Sequence, residues 1–314
     1  MSDKKRKENN KNYSQKMEGE IEHYKNIFKD KLFQDVPPVW TDTDIHFVEN
    51  IKKKTGVSSL NEYISRHTKN KKKIKLLGLG SGACGLELLG IAPLLKKNGT
   101  ELELSCVDIN ESALKQGENE AKKQNIKFNA ITQDVNKISL PENKYDVILA
   151  HASLHHFLKL DHICKEINKS LKPGGIFVTV DIPTKNGYLM WDETFKVVNN
   201  IWKILPPKFK IDYTKHADPV YAETYENVDY SINSFECINS EAILPSLRKH
   251  LNEVYYIPAF SLCRRFFDTK FGPNFDLRQA LDRSIFDFIV NLDKYYLENN
   301  ILKPETFFGI YSKK

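Results

Sequence analysis

The stretch Lys75-Leu76-Leu77-Gly78-Leu79-Gly80-Ser81-Gly82-Ala83-Cys84-Gly85 decides how this chain is read. An apolar run beginning at Ile74 passes into closely spaced glycines and then into Leu86-Glu87-Leu88-Leu89. That is the order of a buried strand, a tight turn and a helix start. Glycine suits the turn because a missing Cβ opens unusual backbone angles and lets a second molecule approach the main chain. Read literally, Gly80 to Gly85 satisfies G-x-G-x-x-G, the dinucleotide fingerprint. On its own this pattern admits NAD and other adenosine-containing ligands equally.

Working outward, the chain alternates regularly. A helix to about Lys97, bent near Gly90 and Pro93, leads through Asn98-Gly99 to a second strand, 102–107, ending on Asp108. Residues 111–125, rich in Ala, Lys, Glu and Gln, predict a helix. Residues 126–132 and 145–150 predict strands, 160–171 a helix stopped by Lys172-Pro173-Gly174-Gly175, and 176–180 a fifth strand. Strands alternating with helices give an α/β fold: a Rossmann-like, mostly parallel sheet covered on both faces, with ligands at the carboxyl ends of its strands.

On either side the character changes. Residues 1–16 hold six bases against Asp3 and Glu8, so most of the formal charge of +6 lies there and the rest of the chain is only about +2. Residues 1–20 therefore read as a disordered basic leader and 21–73 as an N-terminal helical cap, interrupted at Val36-Pro37-Pro38-Val39-Trp40. The main domain is expected over 74–314, with 183–252 an insertion covering the substrate before the last two strands. Trp191, Tyr221, Tyr225 and Tyr230 of that insertion are candidates for an apolar wall. Leu277, Leu281, Ile285, Phe288, Leu292 and Tyr295, three or four apart, predict the buried stripe of an amphipathic helix packed on the sheet.

No run of about 18 apolar residues exists, and the polar N-terminus lacks a signal peptide's apolar core, so a cytoplasmic protein without membrane insertion is expected. The cysteines Cys84, Cys106, Cys164, Cys237 and Cys263 form no C-x-x-C pair, which argues against a zinc site and a disulfide framework. The modest charge of the body speaks against a nucleic-acid partner.

The strand tips then narrow the ligand. Asp108, 23 residues beyond Gly85, is placed to accept from two ribose hydroxyls, and Asp134, after Gln133 at the third strand's tip, from an adenine amine. Two acids and no phosphate-binding lysine suit a nucleoside better than a pyrophosphate. With Lys144-Tyr145-Asp146-Val147-Ile148, Leu154-His155-His156 and Leu171-Lys172-Pro173-Gly174-Gly175 in this order, residues 74–181 resemble the class I S-adenosylmethionine-dependent methyltransferases. The resemblance implies a seven-stranded sheet whose last strands are 254–257 and 307–311, and S-adenosyl-L-methionine as cofactor. It implies that Gly80, Ser81 and Gly82 touch the methionine and ribose, that Ile109 and Val135 flank the adenine, and that His151 lies at the methionine end. Two departures stand out: Gly78 occupies the place where the family often carries an acid, and Cys84 stands where the third glycine falls. The methionine ammonium is then left to backbone carbonyls near Gly78 or to a residue of the cap.

His155, His151 and His156 are candidates for a general base, because an imidazole titrates near working pH, and Asp181 at the fifth strand's tip is a candidate to orient the acceptor. No metal is expected, since His151 stands where a metal-dependent site would want a carboxylate. The expected reaction is in-line methyl transfer to an O- or N-nucleophile of a small molecule. The alternatives are an RNA or protein methyltransferase, an NAD-dependent oxidoreductase and a non-catalytic nucleoside-binding scaffold. The acceptor and oligomeric state are not written in the sequence.

Overall fold

A computed structural model describes residues 3–314 except 30, 34, 215–217 and 219, with side chains from residue 12 onward. Helices α1 (Asp3–Ile27), α2 (Pro38–Asp42), α3 (Ile45–Thr55) and α4 (Leu60–His67) precede the first strand. The sheet then begins: β1 (Lys73–Leu79), a turn of π-helix (Leu86–Ile91) running into α5 (Ala92–Lys97), β2 (Glu101–Asp108), α6 (Glu111–Lys123) and β3 (Lys127–Thr132). After these come β4 (Tyr145–His151), α7 (Leu160–Ser170) and β5 (Leu171–Asp181). The insertion holds α8 (Asp192–Ile204), a small hairpin of β6 (Ile211–Asp212) and β7 (Val220–Tyr221), and α9 (Ile243–His250). The chain closes with β8 (Leu251–Ala259), α10 (Arg264–Phe267), α11 (Ala280–Glu298) and β9 (Thr306–Lys313).

The seven-stranded sheet has the order β3-β2-β1-β4-β5-β9-β8, parallel except for β9, which runs antiparallel to both neighbours. It is the seven-stranded Rossmann-like sheet expected, with the last two strands where expected. The apolar run of β1 explains its central place. Ile74 and Leu76 enter the core on one face and Leu77 and Leu79 the core on the other, all essentially inaccessible to water. Losing any one to Ala removes about 2–5 kcal/mol. Because β1 pairs with both β2 and β4, the chain's crossing direction reverses beside it, and the crevice for a ligand opens at the carboxyl ends of these strands.

Three elements differ from their sequence reading. The leader expected to be disordered over 1–20 is helical from Asp3. Within its lysine- and asparagine-rich sequence, Met17, Glu20 and Tyr24, with Phe28 just beyond the helix, recur three and four residues apart and turn to the strand tips. Helix α11 forms, but rotated by about one residue, or about 100°. It buries Asp282, Phe286, Ile289, Val290 and Asp293 and leaves Leu281, Phe288 and Tyr295 more than half exposed. The cause is polar: Asp293 accepts from the backbone N–H groups of Ser261, Leu262 and Cys263 at 2.7–3.0 Å, and Asp282 pairs with Lys208. Carboxylates with such fixed partners outrank a spare leucine. Lastly, the insertion's aromatics extend the core on the Ile74 and Leu76 face of the sheet: Tyr225 packs against Trp202 and Phe271, with ring centroids 5.2 and 5.6 Å apart. Tyr221 is exposed, and Lys303 lies 3.8 Å over the Trp191 ring. Among the described residues no helix is long and apolar enough to cross a membrane.

Candidate active site

The glycine turn is tight because the chain packs on itself there. Gly80 and Gly82 have φ of 65° and 51°, and the Gly80 N–H donates to the Val107 carbonyl at 2.8 Å, tying the turn to β2. A Cβ at Gly80 would stand 2.8 Å from that of Ser153, one at Gly82 2.8 Å from the Phe28 ring, and one at Gly85 2.3 Å from the Leu32 carbonyl oxygen. The turn thus receives two parts of the chain, the loop after β4 and the segment after α1. Cys84 holds a positive φ of 59° without glycine.

Asp108 sits at the tip of β2 and accepts from the N–H of Gly82 and of Asn110, both at 2.8 Å. Burial raises its pKa, outweighing these donors. Ile109 and Val135 line the same cavity, as do Gly80, Ser81 and Gly82. Asp134 lines it too, but its carboxylate is already engaged. Tyr13 of α1 donates to Oδ2 at 2.8 Å, the Asn136 N–H to Oδ1 at 2.9 Å, and Lys137 Nζ lies 3.2 Å away. These partners outweigh burial and lower its pKa. Gln133 is exposed and outside the lining; only its backbone takes part, donating to the Asp108 carbonyl at 3.0 Å.

Gly78 also lies outside the lining, and its space is filled. A Cβ there would meet Glu87 Oε1 at 2.3 Å and Ser81 Oγ at 2.1 Å. The π-turn that starts the following helix swings Glu87 inward, so a carboxylate stands beside β1 although Gly78 carries none. Burial raises the Glu87 pKa to about 7, against a lowering by Ser81. The sequence shows this acid as an oddity inside Leu86-Glu87-Leu88-Leu89, but not which way it turns.

The cavity of about 420 Å³ runs from Asp108 and Asp134 across the glycine turn to His151 and His156. Phe28, Leu32, Phe33, Val36 and Phe235 give it a largely apolar outer wall. His151, at the end of β4, opens into the cavity, and the described residues give its ring no hydrogen-bond partner. Its depth in the protein lowers the pKa, against the pull of Asp181. His155 turns away from the cavity: its Nδ1–H donates to Asp181 Oδ1 at 2.7 Å. Asp181 also accepts from the N–H groups of Ser153, Leu154 and Ile182, so it fixes the loop after β4 and does not reach the cavity. His156 Nδ1 lies 2.7 Å from Glu20 of α1, and its Nε2 lies 3.2 Å from the Tyr24 hydroxyl. Burial opposes a charge on His156, but Glu20 and then Glu236 outweigh it and raise its pKa to about 9.

Sheet order, the turn at β1 and acids on the tips of β2 and β3 together define a class I S-adenosylmethionine-dependent methyltransferase. A family model described as a methyltransferase domain matches residues 70–252, and the chain belongs to that family. S-adenosylmethionine is the cofactor of this class. The sterol 4-C-methyltransferase strm-1 of Caenorhabditis elegans is 28% identical over 151 residues, 46% of this chain and 43% of that protein. The ubiquinone/menaquinone biosynthesis C-methyltransferase UbiE of Rickettsia bellii is 27% identical over 134 residues, 40% of this chain and 52% of that protein. The chain thus spans about half or less of the length of these curated relatives. Among solved structures, geranyl diphosphate C-methyltransferase of Streptomyces coelicolor A3(2), in complex with Mg2+, geranyl diphosphate and S-adenosyl-L-homocysteine, is similar in fold. Its TM-score is 0.51 at 13% identity, covering 95% of this chain and 98% of that one.

Proposed function

We propose that this chain moves the methyl group of S-adenosylmethionine to a small apolar molecule enclosed beneath α1. The observation that carries the reading is the covered cavity, whose volume lies within the range of about 300–1,000 Å³ usual for small-ligand sites. A tRNA loop or protein segment needs an open approach to the strand tips, and α1 with Phe28, Leu32, Phe33 and Val36 lies across it. In this reading Asp108 takes the ribose hydroxyls, Asp134 the adenine amine, Ile109 and Val135 the ring faces, and Glu87 the methionine ammonium. The apolar wall, together with relatives named for carbon methylation, brings carbon beside oxygen and nitrogen as the acceptor atom.

The reaction is an in-line displacement: the acceptor's electron pair forms the bond to the methyl carbon, and the sulfonium leaves as a neutral thioether. His151 is the base this reading favours for the acceptor's proton. Its ring is free and faces the cavity, and its lowered pKa leaves it neutral at pH 7, whereas His156 is already protonated there.

The test is incubation of a metabolite extract and a macromolecular lysate with methyl-labelled S-adenosylmethionine and the purified chain. Label should pass into the small-molecule fraction. Label found only in RNA or protein, or no thermal shift with millimolar S-adenosylhomocysteine, would overturn the proposal.

A further inference from the structure

Beside the cavity, three side chains from two distant parts of the chain converge without completing one another. His155 Nε2 lies 3.7 Å from one carboxylate oxygen of Glu236, and His156 Nε2 lies 3.7 Å from the other. One ligand atom from each residue lies within 4.8 Å of the other two. These separations are too long for hydrogen bonds. They are close to those of donors sharing one ion, since metal–nitrogen bonds of about 2.1 Å put tetrahedral ligands roughly 3.4 Å apart.

The outer partners point the same way. Asp181 takes the Nδ1–H of His155 at 2.7 Å, which leaves Nε2 as that ring's bare nitrogen. Glu20 lies 2.7 Å from His156 Nδ1, at ion-pair distance though not in hydrogen-bond alignment, and so favours the proton on that nitrogen. A carboxylate behind each imidazole, with Nε2 turned to a common point, is the arrangement by which proteins orient histidine ligands. Charge agrees: the carboxylates of Glu20, Asp181 and Glu236 outnumber the single imidazolium of His156, and a dication that displaces its Nε2 proton would offset the excess. The Tyr24 hydroxyl, 3.2 Å from His156 Nε2, is the group that must give way.

We infer that His155, His156 and Glu236 form a binding site for a first-row transition-metal dication at the edge of the acceptor cavity. Two imidazoles and one carboxylate suit zinc, iron(II), cobalt or manganese, whereas magnesium prefers an all-oxygen set. Only three protein ligands are supplied, so the ion keeps open positions, and His156 and Glu20 adjoin the cavity. One of these positions is open to an oxygen of the acceptor, where the ion would act as a Lewis acid. That last step rests on the methyl-transfer reading; the binding of the ion does not. The site departs from the expectation that no metal is present. The sequence offers His155-His156 as adjacent residues but gives no sign that Glu236, 80 residues later, meets them.

The test is titration of the chelator-treated full chain with Co2+ alone, followed by visible absorption and calorimetry. One equivalent should bind with the d–d bands of a nitrogen- and oxygen-ligated ion. His156→Gln and Glu236→Gln should each remove the bands, and Glu20→Gln should weaken binding by about tenfold. No stoichiometric Co2+ binding, or bands unchanged in both ligand variants, overturns the inference. Circular dichroism confirms that each variant is folded. S-adenosylhomocysteine binding by the chelated protein is followed in parallel. If that ligand binds and Co2+ does not, only the metal site falls; if Co2+ binds as described and that ligand does not, only the cofactor reading falls.

Discussion

Asp108 and Asp134 stand on strand tips, whereas Glu20 and Tyr24, which line the same cavity, and Tyr13, which bonds to Asp134, ride on a helix that makes no backbone pairing with the sheet. The tips are placed by a ladder of main-chain hydrogen bonds: β2 is held between β1 and β3 from Glu103 to Val107. The cover is placed by side chains, through Tyr13 on Asp134, Lys16 on the Ser231 carbonyl, Glu20 beside His156 and Gln116 on the Phe28 carbonyl. A scaffold fixed by backbone can keep its residues in a recognisable order. A cover fixed by side chains can change its sequence freely, and that freedom suits a part that, in the proposed reading, selects the acceptor.

The comparison predicts that the largest loss of cofactor affinity comes from the tips. Asp108→Ala releases the Gly82 N–H that holds the turn and, in the proposed reading, also removes charge-assisted hydrogen bonds to the ribose. S-adenosylhomocysteine affinity should fall by about 10- to 100-fold in calorimetry. A loss below about threefold would mean that the carboxylate serves the turn alone.

Next in size is Glu87, which belongs to the scaffold but is delivered by side-chain packing. Glu87→Gln should weaken S-adenosylhomocysteine by about tenfold while leaving 5′-methylthioadenosine, which lacks the amino-acid part, unchanged. The sign with pH follows from its raised pKa of about 7. In the proposed reading the ligand's ammonium favours the ionised carboxylate, so wild-type affinity should be full above pH 7 and fall as pH drops through it; the Gln variant should lack this step. Equal weakening of both ligands would place Glu87 in the structure of the turn only.

What the sequence disclosed follows the same division. The strands and the order of the tips were legible because burial on both faces of a parallel sheet and tight turns impose residue types locally: β4 was expected over 145–150 and runs Tyr145–His151, buried at all but its last residue. The exchange of Gly78 for Glu87 was not, since it trades a side chain between a strand and the next helix. Helix α1 was hidden by its own lysines, and the face of α11 by two aspartates whose partners lie far off in sequence. The pairing of His155 and His156 with Glu236 was out of reach for the same reason: no spacing rule links a loop after one strand to a loop in the insertion.

The smallest effect, and the sharpest for the comparison, concerns Tyr13. Its hydroxyl donates to Asp134 Oδ2, and burial together with that carboxylate raises its pKa, so it stays protonated and remains a donor. In the proposed reading, an adenine amine arriving at Asp134 has to share or displace this bond. Tyr13→Phe keeps the ring and its edge-on packing with Phe235, 5.1 Å between centroids, but removes the competitor. Affinity for S-adenosylhomocysteine should therefore rise by about threefold, the size expected for one hydrogen bond exchanged. In the Asp134→Asn background the gain should shrink, because the two changes share one contact. A loss of affinity on Tyr13→Phe would show instead that the cover supplies part of the adenine site itself, and the division between a backbone-built cofactor floor and a side-chain-built cover would no longer hold.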